Sequence, residues 1–237
     1  MQVDGRQPDE LRPITLERGY NKYAEGSCFI KIGDTHVHVT ATVEERVPPF
    51  LRNSGKGWVT AEYSMLPRSG RTRSNRDVNR GPNGRSMEIQ RLIGRSLRSI
   101  VDHESLGERT ITLDCDVLRA DGGTRTAAIT ASYVALYDAL NWMMGRKMIK
   151  FMPLSEPIAA ISVGVVGGTE VLDLNYDEDS TAQTDMNVVM TASGRFVEIQ
   201  GTAEEDPYTA ETLGKMLRLA KKGVDQLIEK QKEAFNS

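Results

Sequence analysis

The sequence predicts an α+β fold, in which short strands and amphipathic helices follow one another along the chain. Residues 26–46 and 158–175 each read as strand, glycine-containing turn and strand, the pattern of a β-hairpin. Near residues 85–101 and 208–235, apolar side chains recur three to five positions apart, which is typical of a helix packed on one side. The order of hairpin, further strand and helix occurs twice. We therefore predict an internally duplicated single domain over residues 1–237.

The first half of the chain supplies the first copy of this unit. Polar and apolar residues alternate through the hairpin at 26–46 and again in GWVTAEYSM at 57–65, which predicts a third strand. The helical pattern begins at Arg85 and should end at Gly107, since glycine is a common helix terminator. TITLDCDVL at 110–118 alternates once more and predicts a strand.

The second half repeats the theme after a central helix. A glycine-rich turn at 120–125 leads into a predicted helix over about 126–144, in which alanines recur every four positions and allow close packing. Beyond the second hairpin, MNVVM at 186–190 and RFVEI at 195–199 predict short strands. The apolar face of residues 208–235 predicts the last helix.

Composition indicates an ordinary soluble globular protein, with 39% hydrophobic and 27% charged residues. No apolar run approaches the roughly 20 residues that a membrane helix needs, and the polar first residues do not suit a signal peptide. Two cysteines without close spacing, Cys28 and Cys115, read as reduced thiols. These features predict a cytoplasmic protein with no membrane partner.

Positive charge is concentrated between Leu66 and Arg98, a stretch with nine arginines and only two acids. The whole chain, by contrast, has a net charge of −3. Residues 66–84 have few apolar side chains and predict a mobile loop. Arginines suit phosphate contacts, whereas the lack of interleaved aromatic residues does not support base stacking. A solvated loop or an intersubunit contact is the alternative. The candidate RNA-binding residues are Arg68, Arg71, Arg73 and Arg76.

An anion site is predicted in ADGGTRTA at 120–127, where a strand passes through two glycines into a helix. Glycines let backbone N–H groups approach a ligand, and a helix N-terminus favours negative charge. Arg125 adds a guanidinium fork that matches phosphate oxygens. The alternative is an ordinary turn with Thr124 or Thr126 as N-cap. Arg85 also opens a helix and could converge on the same anion, or it could be a plain surface residue.

Four acids lie close together in DEDSTAQTD at 177–185. Asp179 and Asp185 stand six residues apart, just before a predicted strand, and hard carboxylate oxygens suit Mg²⁺ or Mn²⁺. The alternative is a solvated acidic turn whose aspartates cap backbone N–H groups. We favour that alternative for Asp177 and Glu178, and it stays open for the other two.

Five blocks of the chain are long and chemically specific: GWVTAEYSMLPRS, GRSMEIQRLIGRSLR, ITLDCDVLRADGGTRTAAIT, EDSTAQTDMNVVMT and FVEIQGTAE. Together they resemble the ribonuclease PH family. The resemblance implies an RNase PH-type α+β fold, related to the second domain of ribosomal protein S5, and a ring-shaped homohexamer built as a trimer of dimers. It also implies phosphate-dependent trimming of the 3′ ends of precursor tRNA and other structured RNA. That reaction releases nucleoside diphosphates, and its reverse adds nucleotides.

The resemblance further implies roles for individual residues. The family's phosphate-binding and acidic positions correspond to Arg85, Gly123, Thr124, Arg125, Asp179 and Asp185. The first four would bind inorganic phosphate, the co-substrate. The two aspartates would be catalytic and would hold Mg²⁺ or Mn²⁺, with Asp185 as the closer ligand or the general acid.

Three other functions compete with this one. A hydrolytic exoribonuclease would use the acids with water, but water needs no phosphate cradle. A non-catalytic RNA-binding ring subunit would be expected to lack the acids or the anion-binding arginines, and this chain has both. A structural RNA-binding domain would not need the paired aspartates.

Overall fold

The computed structural model describes residues 2–76, 84–204 and 206–236. The strands are β1 (Ile14–Arg18), β2 (Gly26–Ile32), β3 (Thr35–Glu44), β4 (Trp58–Met65), β5 (Thr110–Arg119), β6 (Ile158–Val166), β7 (Thr169–Leu172), β8 (Thr184–Thr191) and β9 (Phe196–Ala203). The helices are α1 (Gly84–Arg98), α2 (His103–Leu106), α3 (Thr124–Gly145), α4 (Tyr176–Asp179) and α5 (Ala210–Asn236). None of the described helices is long and apolar enough to span a membrane.

The strands form two sheets, ordered β1-β2-β3-β5-β4 and β7-β6-β8-β9. Neighbouring strands are antiparallel except β4 and β5, which run parallel. Parallel neighbours need a long crossover, and the chain between them contains α1. The α+β class and both predicted hairpins are confirmed.

Helix α3 lies between the sheets and has buried side chains on all of its faces. It packs against β2 and β3 of the first sheet and against β6 of the second. Small residues make this approach possible, because a Cβ atom added at Gly26 of β2 would stand 2.0 Å from the carbonyl oxygen of Ala135. The helix therefore joins both sheets in one hydrophobic core, and its first turn lies where the sheets meet.

Some local predictions were wrong. The helix that was expected to reach Gly107 ends at Arg98, because Val101 pairs with Leu154 in an isolated bridge. Asp102 then caps a separate helix, α2, by accepting hydrogen bonds from two of its backbone N–H groups. Gly107 ends α2, with a φ of 66° that glycine adopts without strain.

Three elements were not predicted at all: strand β1, the 3-10 helix at Pro49–Leu51 and the one-turn helix α4. In the loop predicted for 66–84, residues 66–76 form turns without helix or strand, residues 77–83 lie outside the described part of the chain, and Gly84 is already helical.

Candidate functional site

A cavity of about 600 Å³ opens beside the first turn of α3, between the ends of the two sheets. Segments that lie far apart in sequence form its wall, including the end of β4, the starts of α1 and α3, helix α4 and strand β8. All six residues predicted for phosphate and metal line this one cavity, namely Arg85, Gly123, Thr124, Arg125, Asp179 and Asp185. Their roles stay a prediction, but their convergence is a property of the fold.

The glycine turn before α3 gives the cavity a wall of backbone. Gly122 and Gly123 have φ values of 73° and 67°, which favour glycine. A side chain at the first position is also excluded sterically, since a Cβ atom there would stand 2.4 Å from the carbonyl oxygen of Leu174. The N-cap residue of α3 is Gly123, and no side chain in the described part of the chain accepts from the first N–H groups of this helix. Neither Thr124 nor Thr126 therefore plays the capping role considered above. The first N–H groups of the helix thus remain available to an anion.

Tyr63 fixes the hydroxyl of Thr124 from behind. The tyrosine is 4% exposed, and burial raises its pKa, so its hydroxyl stays protonated and donates a hydrogen bond to Thr124 Oγ1 at 2.8 Å. Nothing in the strand pattern of 57–65 distinguishes this inward-facing tyrosine from a core residue.

The two predicted arginines differ in how firmly they are held. Arg125 is partly buried, donates to Gln200 Oε1 at 3.1 Å and lies 3.5 Å from a carboxylate oxygen of Glu88. Arg85 is exposed at the start of α1 and makes no ion pair with any residue in the described part of the chain. Of these two guanidinium groups, that of Arg125 is anchored, whereas that of Arg85 has no ion-pair partner among the described residues.

The acidic part of the cavity carries two carboxylates of like charge. Asp179 is an exposed residue, but neighbouring protein atoms partly desolvate its carboxylate and raise its pKa, and the charge of Asp185 raises that pKa further. The positive charges of Arg85, Arg125 and Arg12 act in the opposite direction. A cation bound between the two carboxylates would reduce the repulsion between their negative charges.

Among the described residues that line the cavity, the acidic and amide side chains offer hard oxygen donors to a metal. Asn187 lies two residues beyond Asp185 on β8, so both side chains leave the same face of the strand and line the cavity. Among the described residues there is no cluster of three or more His, Cys, Asp or Glu that could hold a metal. Two carboxylates and an amide fit Mg²⁺ or Mn²⁺, which usually keep several waters and bind substrate phosphate.

Helix α4 carries Asp179 at its last position, next to the cavity. The contacts of this helix also correct the prediction made for Glu178. Asn175 and Glu178 form a capping box, in which each side chain binds the other residue's backbone N–H group. Glu178 was expected in a solvated turn but is 1% exposed, because it also accepts from the N–H of Val3 at 2.9 Å and pairs with Arg6. Asp177 is exposed, as the solvated alternative expected.

The four candidate RNA-binding arginines are all exposed, and Arg71 is the one of them that lines the cavity. Its guanidinium lies 2.7 Å from a carboxylate oxygen of Asp177 and 4.7 Å from the ring centre of Tyr176. Arg68, Arg73 and Arg76 lie on the same segment outside the cavity wall.

Comparison with known proteins gives the family context. Residues 10–140 match the sequence family described as 3′ exoribonuclease family, domain 1, and residues 156–223 match domain 2 of the same family.

Solved structures share the fold over nearly the whole chain. Rrp46 of rice (Oryza sativa) superposes with a TM-score of 0.80 at 20% identity, covering 98% of both chains. A chain of the Archaeoglobus fulgidus exosome with RNA bound to the active site gives 0.82 at 21% identity, over 97% of this chain and 92% of that one. A chain of an archaeal exosome core gives 0.77 at 22% identity, over 98% and 91%.

Proposed function

This chain belongs to the 3′ exoribonuclease family, and we propose that it removes nucleotides from RNA 3′ ends by phosphorolysis. The observation that carries the proposal is the convergence of two helix-start arginines and two carboxylates on one cavity. An oxygen of inorganic phosphate attacks the terminal internucleotide phosphorus, and the bond from that phosphorus to the 3′ oxygen breaks. The shortened RNA takes up a proton and keeps a free 3′ hydroxyl, and the last nucleotide is released as a nucleoside diphosphate. The reverse reaction adds a nucleotide to the RNA.

The cationic wall of the cavity consists of Arg85, Arg125 and the first N–H groups of α3. In this proposal it binds and orients the attacking phosphate. Two anions must meet in this reaction, so their repulsion has to be offset before the oxygen of one can reach the phosphorus of the other. Arg85 and Arg125 supply positive charge, and the uncapped N–H groups at Gly123 to Arg125 supply fixed donors. Holding both reactants in line accounts for a large part of the rate enhancement in such transfers.

The acidic wall of the cavity consists of Asp179, Asp185 and Asn187. In this proposal it lies next to the scissile phosphate and the leaving 3′ oxygen. Asp179 and Asp185, assisted by Asn187, would hold Mg²⁺ or Mn²⁺. A cation at that place would supply positive charge to offset the negative charge that develops on the departing oxygen. Asp185 is either the closer ligand or the general acid. No step needs a covalent enzyme intermediate.

The RNA approaches along the arginine stretch. Arg71 stands at the cavity, and Arg68, Arg73 and Arg76 extend the positive surface beside it. We propose precursor tRNA and other structured RNA 3′ ends as substrates, in the cytoplasm. The similarity to chains of exosome assemblies, one of them with RNA in its active site, supports RNA binding and assembly with further subunits. We propose a homohexamer, a trimer of dimers.

Product identity tests the proposal. A tRNA with extra 3′ nucleotides is incubated with the protein and Mg²⁺, with and without phosphate, and the released nucleotides are separated by chromatography. Phosphorolysis predicts nucleoside diphosphates that form only when phosphate is present. Monophosphates formed without phosphate would identify a hydrolase, and intact RNA under both conditions would identify a non-catalytic RNA-binding protein.

A further inference from the structure

The N-terminal segment, residues 2–12, contacts segments next to the cavity and ends in a buried ion pair. Arg12 is 4% exposed and Asp173 is 1% exposed. Arg12 donates to the Asp173 carboxylate through its backbone N at 2.9 Å, through Nε at 3.0 Å and through Nη2 at 2.7 Å. A carboxylate bound by three donors from one residue is fixed in position and orientation.

The same guanidinium group also binds the glycine turn before α3, residues 120–123, which is called the anion-binding turn below. Arg12 Nη1 donates to the carbonyl oxygen of Asp121, and Nη2 lies 3.5 Å from that of Gly122. The buried Thr35 completes the attachment, because its hydroxyl donates to the Gly122 carbonyl at 2.6 Å and accepts from the N–H of Asp121 at 3.0 Å. One side chain thus links the turn after β5 to the segment after β7.

The segment after β7 holds an unusual backbone conformation at the residue that Arg12 binds. Asp173 has a φ of 58°, which few residues other than glycine adopt, although aspartate and asparagine tolerate it best. Its backbone is held on both sides: its N–H donates to Ser162 O at 2.8 Å, and its carbonyl accepts from Arg6 Nη2 at 3.1 Å. A conformation of this kind persists only where its surroundings determine it.

A second link joins the N-terminal segment to the helix that carries Asp179. Arg6 Nη2 lies 3.5 Å from the buried carboxylate of Glu178, which also accepts from the backbone N–H of Val3. Glu178 is the residue that closes the capping box of α4. The N-terminal segment therefore contacts both walls of the cavity from behind, without lining its acidic or cationic surface.

We propose that Arg12, acting with Asp173, is a positioning residue that sets the spacing between the anion-binding turn and the carboxylates. The proposal rests on the function proposed above and extends it. Phosphate and the scissile bond must be placed relative to each other, and a misplacement of about 1 Å can reduce a rate by about a hundredfold. A guanidinium fork gives a fixed geometry that a flexible ammonium group does not.

The test uses Asp173→Asn, because asparagine has nearly the same shape and tolerates a positive φ. Arg12 loses its closest charged partner and keeps only the Asp121 carboxylate, 3.9 Å away, and Arg6 loses a partner at 3.6 Å. The turn should therefore move relative to Asp179. We expect the KM for phosphate to rise about tenfold or more and kcat to fall, while the affinity for RNA without phosphate is unchanged.

The matched control is Asp138→Asn, which removes the partner of Arg18 in an ion pair between β1 and α3. The two atoms there are 2.5 Å apart, and the Asp138 side chain is 13% exposed, so the control also breaks a largely shielded pair. A merely structural effect would lower the melting temperature of both variants and leave the KM for phosphate at the wild-type value in both. That result for Asp173→Asn would overturn the proposal.

Arg12→Lys separates geometry from charge. Lysine keeps the positive charge next to Asp173 but cannot also reach the carbonyl oxygens of Asp121 and Gly122 as the fork does. We expect a raised KM for phosphate with most of the stability retained. Wild-type kinetics in this variant would show that charge alone suffices and would contradict a positioning role.

A crystal structure of Asp173→Asn decides the proposal independently of activity. We expect the turn at Gly122–Gly123 to be displaced relative to the Asp179 carboxylate, and superposition on the wild type within coordinate error would overturn the inference. If wild-type protein releases no diphosphates, the proposed function fails instead, and this structural comparison still decides whether Arg12 sets the spacing.

Discussion

The two walls of the cavity are built in different ways. In the cationic wall, Arg125 is held by Gln200 and Glu88. Arg85, by contrast, has no ion-pair partner among the described residues, and none of their side chains accepts from the first N–H groups of α3. The acidic wall rests on buried scaffolding, in which Glu178 and Asp173 are each 1% exposed and paired with arginines. The difference is that the cationic wall leaves Arg85 and the first N–H groups of α3 without partners among the described residues, whereas the helix that carries Asp179 is held by buried contacts with the N-terminal segment.

The largest effect is expected at the acidic wall. Asp185→Asn removes a hard oxygen ligand or a proton donor while keeping the size of the side chain, so we expect both RNA degradation and nucleotide addition to fall by at least about a thousandfold. Both directions are measured with Mg²⁺ and with Mn²⁺ on the same RNA. If Asp185→Asn retains activity in Mg²⁺, the acids are structural and the two walls do not have the contrasting roles described here.

Arg125→Ala tests the cationic wall. It removes a charge-assisted donor aimed at the attacking phosphate, and we expect phosphorolysis to decrease by about a hundredfold to a thousandfold, with RNA binding largely intact. The matched control is Arg195→Ala, because Arg195 is an exposed arginine outside the cavity that pairs with Glu156. A merely severalfold decrease in Arg125→Ala would remove this residue from the phosphate site.

A smaller effect is expected outside both walls. Neutralising Arg73 and Arg76 together should weaken RNA binding severalfold and reduce the slope of log affinity against log salt by about one to two. Replacing the exposed Arg46 and Arg52 removes equal charge from outside the arginine stretch and serves as the control. If RNA affinity stays constant while gel filtration shows a smaller assembly, these arginines serve subunit contacts instead.

The smallest expected effect is on thermal stability. Its measurement tests whether the charge of Asp179 destabilises the folded protein when no cation is bound. The raised pKa of Asp179 means that the folded state holds this proton more tightly than the unfolded state, so ionisation costs stability as pH rises through the folded pKa. Asp179→Asn should therefore raise Tm at neutral pH by about 1–2 °C in metal-free protein, a modest value because solvent screens part of the repulsion.

This gain should shrink as pH falls below the raised pKa, where the wild-type carboxyl is protonated. Added Mg²⁺ should raise the Tm of the wild type and leave that of Asp179→Asn nearly unchanged. Calorimetric scans of both proteins at several pH values measure these differences. An Asp179→Asn variant that is less stable than wild type in metal-free buffer at neutral pH would show that the carboxylate is stabilising as it stands.

The two walls also differ in how far the sequence predicts them. The cationic wall follows from local patterns, because a strand, two glycines, an arginine and a helix start lie next to one another in residues 120–127. The acidic wall depends on partners far away: Arg12 and Asp173 are 161 residues apart, and nothing in the polar segment before Arg12 indicates burial. Glu178 looked solvated for the same reason, since its partners Val3 and Arg6 enter only through the tertiary fold.

The secondary-structure elements also divide into those that a local sequence pattern predicts and those that it does not. Hairpins and long helices have periodic patterns and were predicted, whereas β1 and α4 have five and four residues and carry too little pattern to be distinguished from loops. The early end of α1 at Arg98 was missed because the apolar pattern continues through Ile100 and Val101, which are buried by other contacts.

In the proposed active site, one inorganic phosphate binds between Arg85 and Arg125, beside a cation held by Asp179 and Asp185. The most direct measurement is a crystal structure of the protein with phosphate and Mn²⁺, in which anomalous scattering identifies the metal. We predict phosphate within hydrogen-bonding distance of Arg125 and of the N–H groups that begin α3, with Mn²⁺ on Asp179 and Asp185. Phosphate bound elsewhere, or Arg85 and Arg125 pointing to separate places away from the metal, would contradict the account.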